Sequence, residues 1–537
     1  MIRDQRLFLM AALVLMLFIA ACGEAVDENQ AGTTGGTVSY ERAAVQATPL
    51  TYPETATVDH ADTYHGVEVA DPYRWLEDVD SEETHAWVEA QNEVTFGYLE
   101  SLPQREEFAN RLTELWNYEK YRAPFEEGGR TFWFKNDGLQ NQSVMYVQDG
   151  PDAEPRVLID PNTLSDDGTV SLGGTSVSSD GRYLAWATSV SGSDWRTWYV
   201  RDVETGEDLD DEVAWSKFSA ASWDSEAEGF FYSRYPEPRE GDAFEEANKK
   251  HMLYYHRLGT DQSEDRLVYT SPEDKTWIVF GQVSDDGRYL VITVMPGSSQ
   301  YRGLFYLDLA DPGAEVVQLL SEFDASYEFV GNDGETFFVK TNLEAPKHRL
   351  VAIDLAHPET AAWRTLIPEG DDPLDGITVL NHEFVVTTMH DVASAVTLYR
   401  LDGTKRGTID LPGLGSVSGF RGHAGDTETY YVFNSYLSPG EIFHHDFRTG
   451  TSTLFRKPSV DFDFENYQTT QVFYPSRDGT KIPMFLVHRK DLELDGTNPV
   501  LLYAYGGFNQ VTRPRFSAAL LPWLEQGGIW ASANLRG

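Results

Sequence analysis

The amino-acid sequence predicts a β-propeller of seven repeated sheet units, followed by the opening of an α/β domain. Three observations predict it. First, one hairpin entry recurs as "EEGGRTFWF", "SSDGRYLAWA", "DSEAEGFFYS", "SDDGRYLVIT" and "GNDGETFFVK". Its glycines, Gly129, Gly181, Gly229, Gly287 and Gly334, are spaced by 52, 48, 58 and 47 residues. Second, the hydrophobic period from about Tyr118 to Val460 is two, in short aromatic and β-branched runs. Third, the apolar run "NPVLLYAYGG", the helical "FSAALLPWLEQGG" and the apolar "IWASANLRG" read as strand, helix and strand. Weaker copies of the hairpin at "LNHEFVVTTM" and "GDTETYYVFN" complete the seven units, each of roughly fifty residues, the period of a propeller blade. A single blade cannot bury both its faces, so stacked blades must supply the core.

Taken from the N-terminus, the elements begin with "MIRDQR", an apolar run of 13 residues and "AACGE". This is the pattern of a secretory signal over 1–21, too short for a comfortable membrane-spanning helix. "IAAC" resembles a bacterial lipobox, which makes Cys22 the expected lipidation site and the membrane an expected partner. Export to the periplasmic or cell-surface side follows. As Cys22 is the one cysteine, no disulfide can form within the chain. Residues 22–50 are polar and rich in Gly and Thr, and read as a flexible tether. A helical segment is expected over 51–117. Asp80 or Ser81 can cap one helix, with Glu82 and Glu83 in its first turn. Phe108, Leu112, Leu115 and Trp116 share one face of the next. The propeller then spans 118–459 and the α/β opening 460–537, where "QTTQVFYPSRDGTKIPMFLVHRK" forms a hairpin turning at Asp478–Gly479.

Composition excludes some functions. The formal net charge is −44, from 42 Lys+Arg against 86 Asp+Glu, so phosphate backbones repel the chain and nucleic acid is an unsuitable partner. Hydrophobic residues at 41% and aromatics at 13% suffice for sizeable cores. No H-E-x-x-H or paired-ligand spacing supports a metal. "GLGSVSG" has one residue too many for a dinucleotide loop and no P-loop is present, so no cofactor is expected.

Several long strings resemble the prolyl oligopeptidase (prolyl endopeptidase) family of serine peptidases: "YHGVEVADPYRWLEDVDSEETHAWVEAQN", "GLQNQSVMYVQ", "SGSDW", "LYYHRLGTDQSED", "FYPSRDGTKIPMFLVHRK" and "YAYGGFN". The resemblance covers about Thr51 to Gly537. It implies a seven-bladed β-propeller inserted into a split α/β-hydrolase domain, and cleavage of short peptides after proline. Such chemistry needs a nucleophile, a histidine base, an orienting carboxylate and oxyanion donors. The nucleophile elbow G-x-S-x-G is not in the sequence. "GTSVS", Gly174 to Ser178, is the nearest miss and lies in a propeller unit. The resemblance places the family's serine, aspartate and histidine beyond Gly537, so the hydrolase part is expected to be incomplete and this chain inactive alone. None of the 13 histidines is assignable as the base. His251 and His256 read as hairpin residues, and the adjacent His444 and His445 point to opposite faces of a strand.

One catalytic group is implied by the resemblance. Tyr505 matches a tyrosine whose neutral hydroxyl donates to the oxyanion, a donor worth roughly 3 kcal/mol in the transition state. Phe508 matches an aromatic wall of the proline pocket. Phe218, Ile278 and Ser298 match positions lining an apolar subsite beyond that pocket. Ile278 and Ser298 depart from the methionine and cysteine of the best-known members. Asp194 matches a polar residue facing the interdomain cavity. Short proline-containing peptides are the expected partners, and a monomer the expected state. The rival reading is a non-catalytic propeller that binds peptides as a module.

Overall fold

The computed structural model describes residues 50–536, apart from residue 80, 239–247, 273, 298 and 508–509. The expected signal, the tether with Cys22, and the candidates Ser298 and Phe508 lie outside the described residues. The chain forms two units, divided between Glu114 and Leu115.

In the first unit, a hairpin pairs Ala61–Tyr64 with Val67–Ala70, turning at His65 and Gly66, both at positive φ. The sequence reading had only helices here; strands of four residues, nearly all exposed, are too short to set a pattern. The helix Glu82–Glu100 is capped by Ser81, whose Oγ accepts from Thr84 N at 3.2 Å. Glu82 and Glu83 sit in its first turn, where the helix dipole favours negative charge. The next helix, Arg105–Trp116, crosses into the second unit and buries Leu115. Trp116 is exposed, against expectation, because a residue one step along the helix is turned about 100° away from its neighbour.

In the second unit, antiparallel sheets follow one another in chain order. The first has five strands between Lys120 and Ile159, and an eight-stranded sheet runs from Val170–Val177 to Arg266–Thr270. Four four-stranded sheets then cover Ile278–Leu320, Tyr327–Ile367, Leu374–Ile409 and Ser416–Arg456. The eight-stranded sheet is two meanders joined by the single pairing Ser216↔Arg234. The recurrent hairpins each connect the first two strands of a meander. Gly129, Gly181, Gly287 and Gly334 take positive φ at these turns. Gly229 does not: Ala227 takes the left-handed turn at φ 54, and Gly229 opens the next strand. It is glycine for closeness, since a Cβ there would lie 2.2 Å from His256 O. At Asn381 and His382 the same turn forms without glycine, at φ 51 and 52.

The cores lie between consecutive sheets. Phe132, Met145 and Leu158 of the first sheet pack with Leu184 and Trp186 of the next. Tyr289, Val291 and Leu304 pack with Phe337, Val339 and Ile353. Phe338 and Leu350 pack with Phe384 and Val386, and Val385 and Leu398 with Tyr431 and Phe447. The first and last sheets of the series meet through polar contacts. The Arg456 guanidinium lies 3.9 Å from the centroid of the Tyr121 ring. His423 donates from Nε2 to Glu127 at 2.9 Å and from Nδ1 to Asp285 at 2.5 Å.

After the last meander, a mixed sheet has the order Tyr467–Pro475, Lys481–Arg489, Ile529–Ala533, Val500–Tyr503. The first two form the expected hairpin, with Gly479 at φ 85 in its turn. The last two are the parallel pair. Between them, Ala518–Leu520 and the short helix Leu521–Glu525 bury Leu521 and Leu524. The continuous apolar run of Val500–Tyr503 has the pattern of a strand covered on both faces. Among the described residues it is an edge strand with one neighbour, and Val500 and Leu502 are exposed while Leu501 and Tyr503 are half-buried.

The eight-stranded sheet also encloses a buried charge cluster. His256, fully buried, faces Asp265 from Nδ1 at 2.7 Å and Asp211 from Nε2 at 3.0 Å. Two carboxylates leave both ring nitrogens as donors, so the ring is an imidazolium. Burial works to lower its pKa; the carboxylates outweigh burial and push it from 6.5 up to about 9. A proton held more tightly in the folded state stabilises fully below pH 6.5, and that stability is lost as pH rises through about 9. Thermal melts are expected to show Tm falling over this window. His256→Gln should lower Tm at pH 6 and make the decline shallower.

Candidate functional site

Phe218 stands out on backbone grounds. It takes φ 50, a left-handed conformation that is costly for a bulky residue, and its ring is 41% exposed. An exposed aromatic in a strained conformation must be held there by its surroundings. Two serines of the strap Ser216–Ser219 do this: Ser216 Oγ donates to Ser233 O at 2.9 Å, and Ser219 Oγ accepts from Ser233 N at 2.8 Å. Trp198 Nε1 donates to Ser216 Oγ at 3.0 Å, and Arg196 Nη1 to Ser219 O at 3.0 Å.

Lys217 joins the neighbouring candidates. Its ammonium lies 5.3 Å from the centroid of the Phe218 ring and 5.1 Å from that of Trp195. It is 3.9 Å from Asp194 Oδ2. Trp195 in turn meets Trp215 and Tyr235 edge-on at 5.7 and 6.1 Å. A largely buried ammonium between two aromatic faces and one exposed carboxylate gives a patch with both apolar and charged recognition elements. Ile278 begins the next sheet, half-buried, and its neighbour Val279 donates its N–H to His251 Nδ1 at 3.0 Å. The other nitrogen of His251 donates to Lys217 O at 2.9 Å.

The structure therefore brings Asp194, Phe218 and Ile278 into one connected neighbourhood. Tyr505 stands elsewhere, two residues beyond the parallel edge strand, and is 55% exposed. Among the described residues its hydroxyl makes no hydrogen bond, and Gly506 beside it takes φ 69 against the Leu535 side chain. Two anchors tie this segment to the preceding sheets. Arg513 donates to both carboxylate oxygens of Asp375 at 2.6 Å, and Ser416 Oγ donates to Pro514 O at 2.8 Å. Sequence reasoning missed Lys217, Trp195 and His251. The first two adjoin the candidates in "SKFSA" and "SGSDW"; His251 is distant in sequence and had no local signal.

A family model, the prolyl oligopeptidase N-terminal beta-propeller domain, matches residues 53–458. The chain belongs to the prolyl oligopeptidase family. Among curated members, the prolyl endopeptidase of Elizabethkingia meningoseptica is 41% identical over 488 residues, which cover 91% of this chain and 68% of that protein. The dual function macrocyclase-peptidase of Galerina marginata is 34% identical, over 91% of this chain and 72% of its own length. A solved structure from a study of two prolyl endopeptidases and their inter-domain dynamics matches with TM-score 0.86 at 36% identity, covering 91% of this chain and 72% of that one. Prolyl oligopeptidase B of Galerina marginata, bound to a 25mer macrocyclization substrate, matches with TM-score 0.86 at 32% identity, with the same coverage. The repeated antiparallel sheets of this prolyl oligopeptidase relative are thus those of the family's β-propeller.

The Arg513–Asp375 pair is a charged link between the segment after Val500–Tyr503 and the propeller. Arg513→Gln is expected to cost about 1 kcal/mol, the scale for a partly exposed charge-assisted pair. Hydrogen exchange should accelerate over 500–516 while the propeller strands keep their protection.

Proposed function

We propose that this protein is a prolyl oligopeptidase-type serine peptidase acting on short peptides after proline. The observation that carries the reading is the segment at Tyr505. A parallel strand delivers a tyrosine with a free, exposed hydroxyl to a glycine turn, in a chain 41% identical to a prolyl endopeptidase. A neutral phenol can donate to a developing oxyanion without a proton change. On this reading the domain is a seven-bladed propeller inserted into a split α/β hydrolase. The support is seven meanders in succession, counting the eight-stranded sheet as two, and the mixed sheet that follows them. On this reading Phe218 and Ile278 line the subsite beyond the proline pocket, and Asp194 faces the cavity as a polar residue. The protein works as an exported monomer, lipid-anchored at Cys22.

The assay is a proline-containing chromogenic peptide with the purified chain. These residues hold no G-x-S-x-G elbow, so binding without turnover is expected. Turnover that a serine-directed inhibitor abolishes would place the nucleophile within these residues and overturn that expectation. In protein that carries the nucleophile, Tyr505→Phe should lower kcat by about 10²–10³ with little change in KM.

A further inference from the structure

His251 is 1% exposed. Both of its nitrogens are spent on main-chain groups of two different sheet segments. The Val279 amide donates to Nδ1, so Nδ1 is the acceptor and Nε2 must carry the proton that goes to Lys217 O. Only the neutral ring can do both, and burial favours it by lowering the pKa to about 4. The Tyr235 ring packs against it, tilted by 45° with centroids 4.5 Å apart, and helps fix its orientation.

The two targets flank the candidate subsite by one residue each. Lys217 precedes Phe218, and Val279 follows Ile278. The carbonyl that His251 holds is the one entering the strained residue, so the bond bears directly on the φ 50 conformation that exposes the Phe218 ring. At Val279 the clamp is double, since its carbonyl accepts from Ser233 Oγ at 2.8 Å. Ser233 is also the residue that pins Ser216 and Ser219. One buried imidazole thus ties the strap bearing Phe218 to the strand bearing Ile278.

We infer that His251 is a positioning residue for the peptide subsite: it sets the geometry between the Phe218 ring and Ile278, and thereby the preference for an apolar side chain in the bound peptide. This rests on the reading that Phe218 and Ile278 line a subsite. A preorganised pair of apolar walls discriminates by excluding water from a side chain that fits, and a loosened pair does so less.

The test uses the full chain and two proline amides, identical except for phenylalanine or glycine two residues before the proline, with affinities measured by titration calorimetry. The unsubstituted chain should favour the phenylalanine peptide by about tenfold, the scale for an apolar pocket. His251→Ala should cut that ratio to about twofold or less, as should Phe218→Ala, and combining them should add little, because the two act through one contact. His251→Gln, whose amide can still donate to Lys217 O, should retain most of the ratio. General loosening of the fold lowers both affinities together and leaves the ratio intact. A full ratio in His251→Ala, with Phe218→Ala reduced, overturns the role of His251 and leaves the subsite standing. Equal affinities, or no binding, in the unsubstituted chain overturn the subsite reading and this inference with it. If His251→Ala does not fold, His251→Asn replaces it. Its shorter amide reaches Val279 N but not Lys217 O, and an undiminished ratio there overturns the inference.

Discussion

Every sheet of the propeller depends on its neighbour for one of its faces. A four-stranded antiparallel meander has two apolar faces and too few residues to cover either. The buried clusters between the sheets show the solution: they draw side chains from two consecutive sheets, as with Phe338 and Leu350 against Phe384 and Val386. Removing one sheet would therefore expose two cores. Asp194 and Phe218 of the candidate site lie in connections between strands, and Ile278 opens a strand.

The site sits where two meanders share a single pairing. Ser216↔Arg234 joins what would otherwise be separate sheets, and the strap from Ser216 to Ser219 runs directly from that joint. Strain at Phe218 is tolerated because the strap is fixed on both sides by Ser233 and beneath by His251. Lys217 can be drawn in among aromatic rings because Asp194 and its own ring contacts offset the loss of water around the ammonium.

Much of the fold was legible in the sequence because repetition amplifies weak signals. Seven copies of one hairpin establish a period that no single strand would. The same pattern misassigned Gly229, since an aligned glycine can serve a turn or a close approach, and only the position of His256 O tells which. The four-residue strands of the Ala61–Ala70 hairpin were invisible because they are too short to set a pattern, and the exposure of Val500–Tyr503 because an apolar run does not report how many neighbours a strand has. Of the candidate site, Asp194, Phe218, Ile278 and Tyr505 came from motif resemblance, not from physics. His251 was not legible at all: its importance lies in partners 34 and 28 residues away, and sequence has no local mark for a bridge.

The His423 link has a consequence for how the chain is made. Its partner Glu127 lies 296 residues earlier, in the first sheet, while Asp285 comes from the middle of the series. During synthesis from the N-terminus, the first sheet must wait for almost the whole propeller to emerge before its polar edge finds this partner. Contacts of such sequence separation are slow to form, because a long loop must be closed before any stabilisation is returned. Until then an edge with Glu127 and Tyr121 stands open, and its ionic character, in a chain of net charge −44, keeps waiting copies from joining edge to edge.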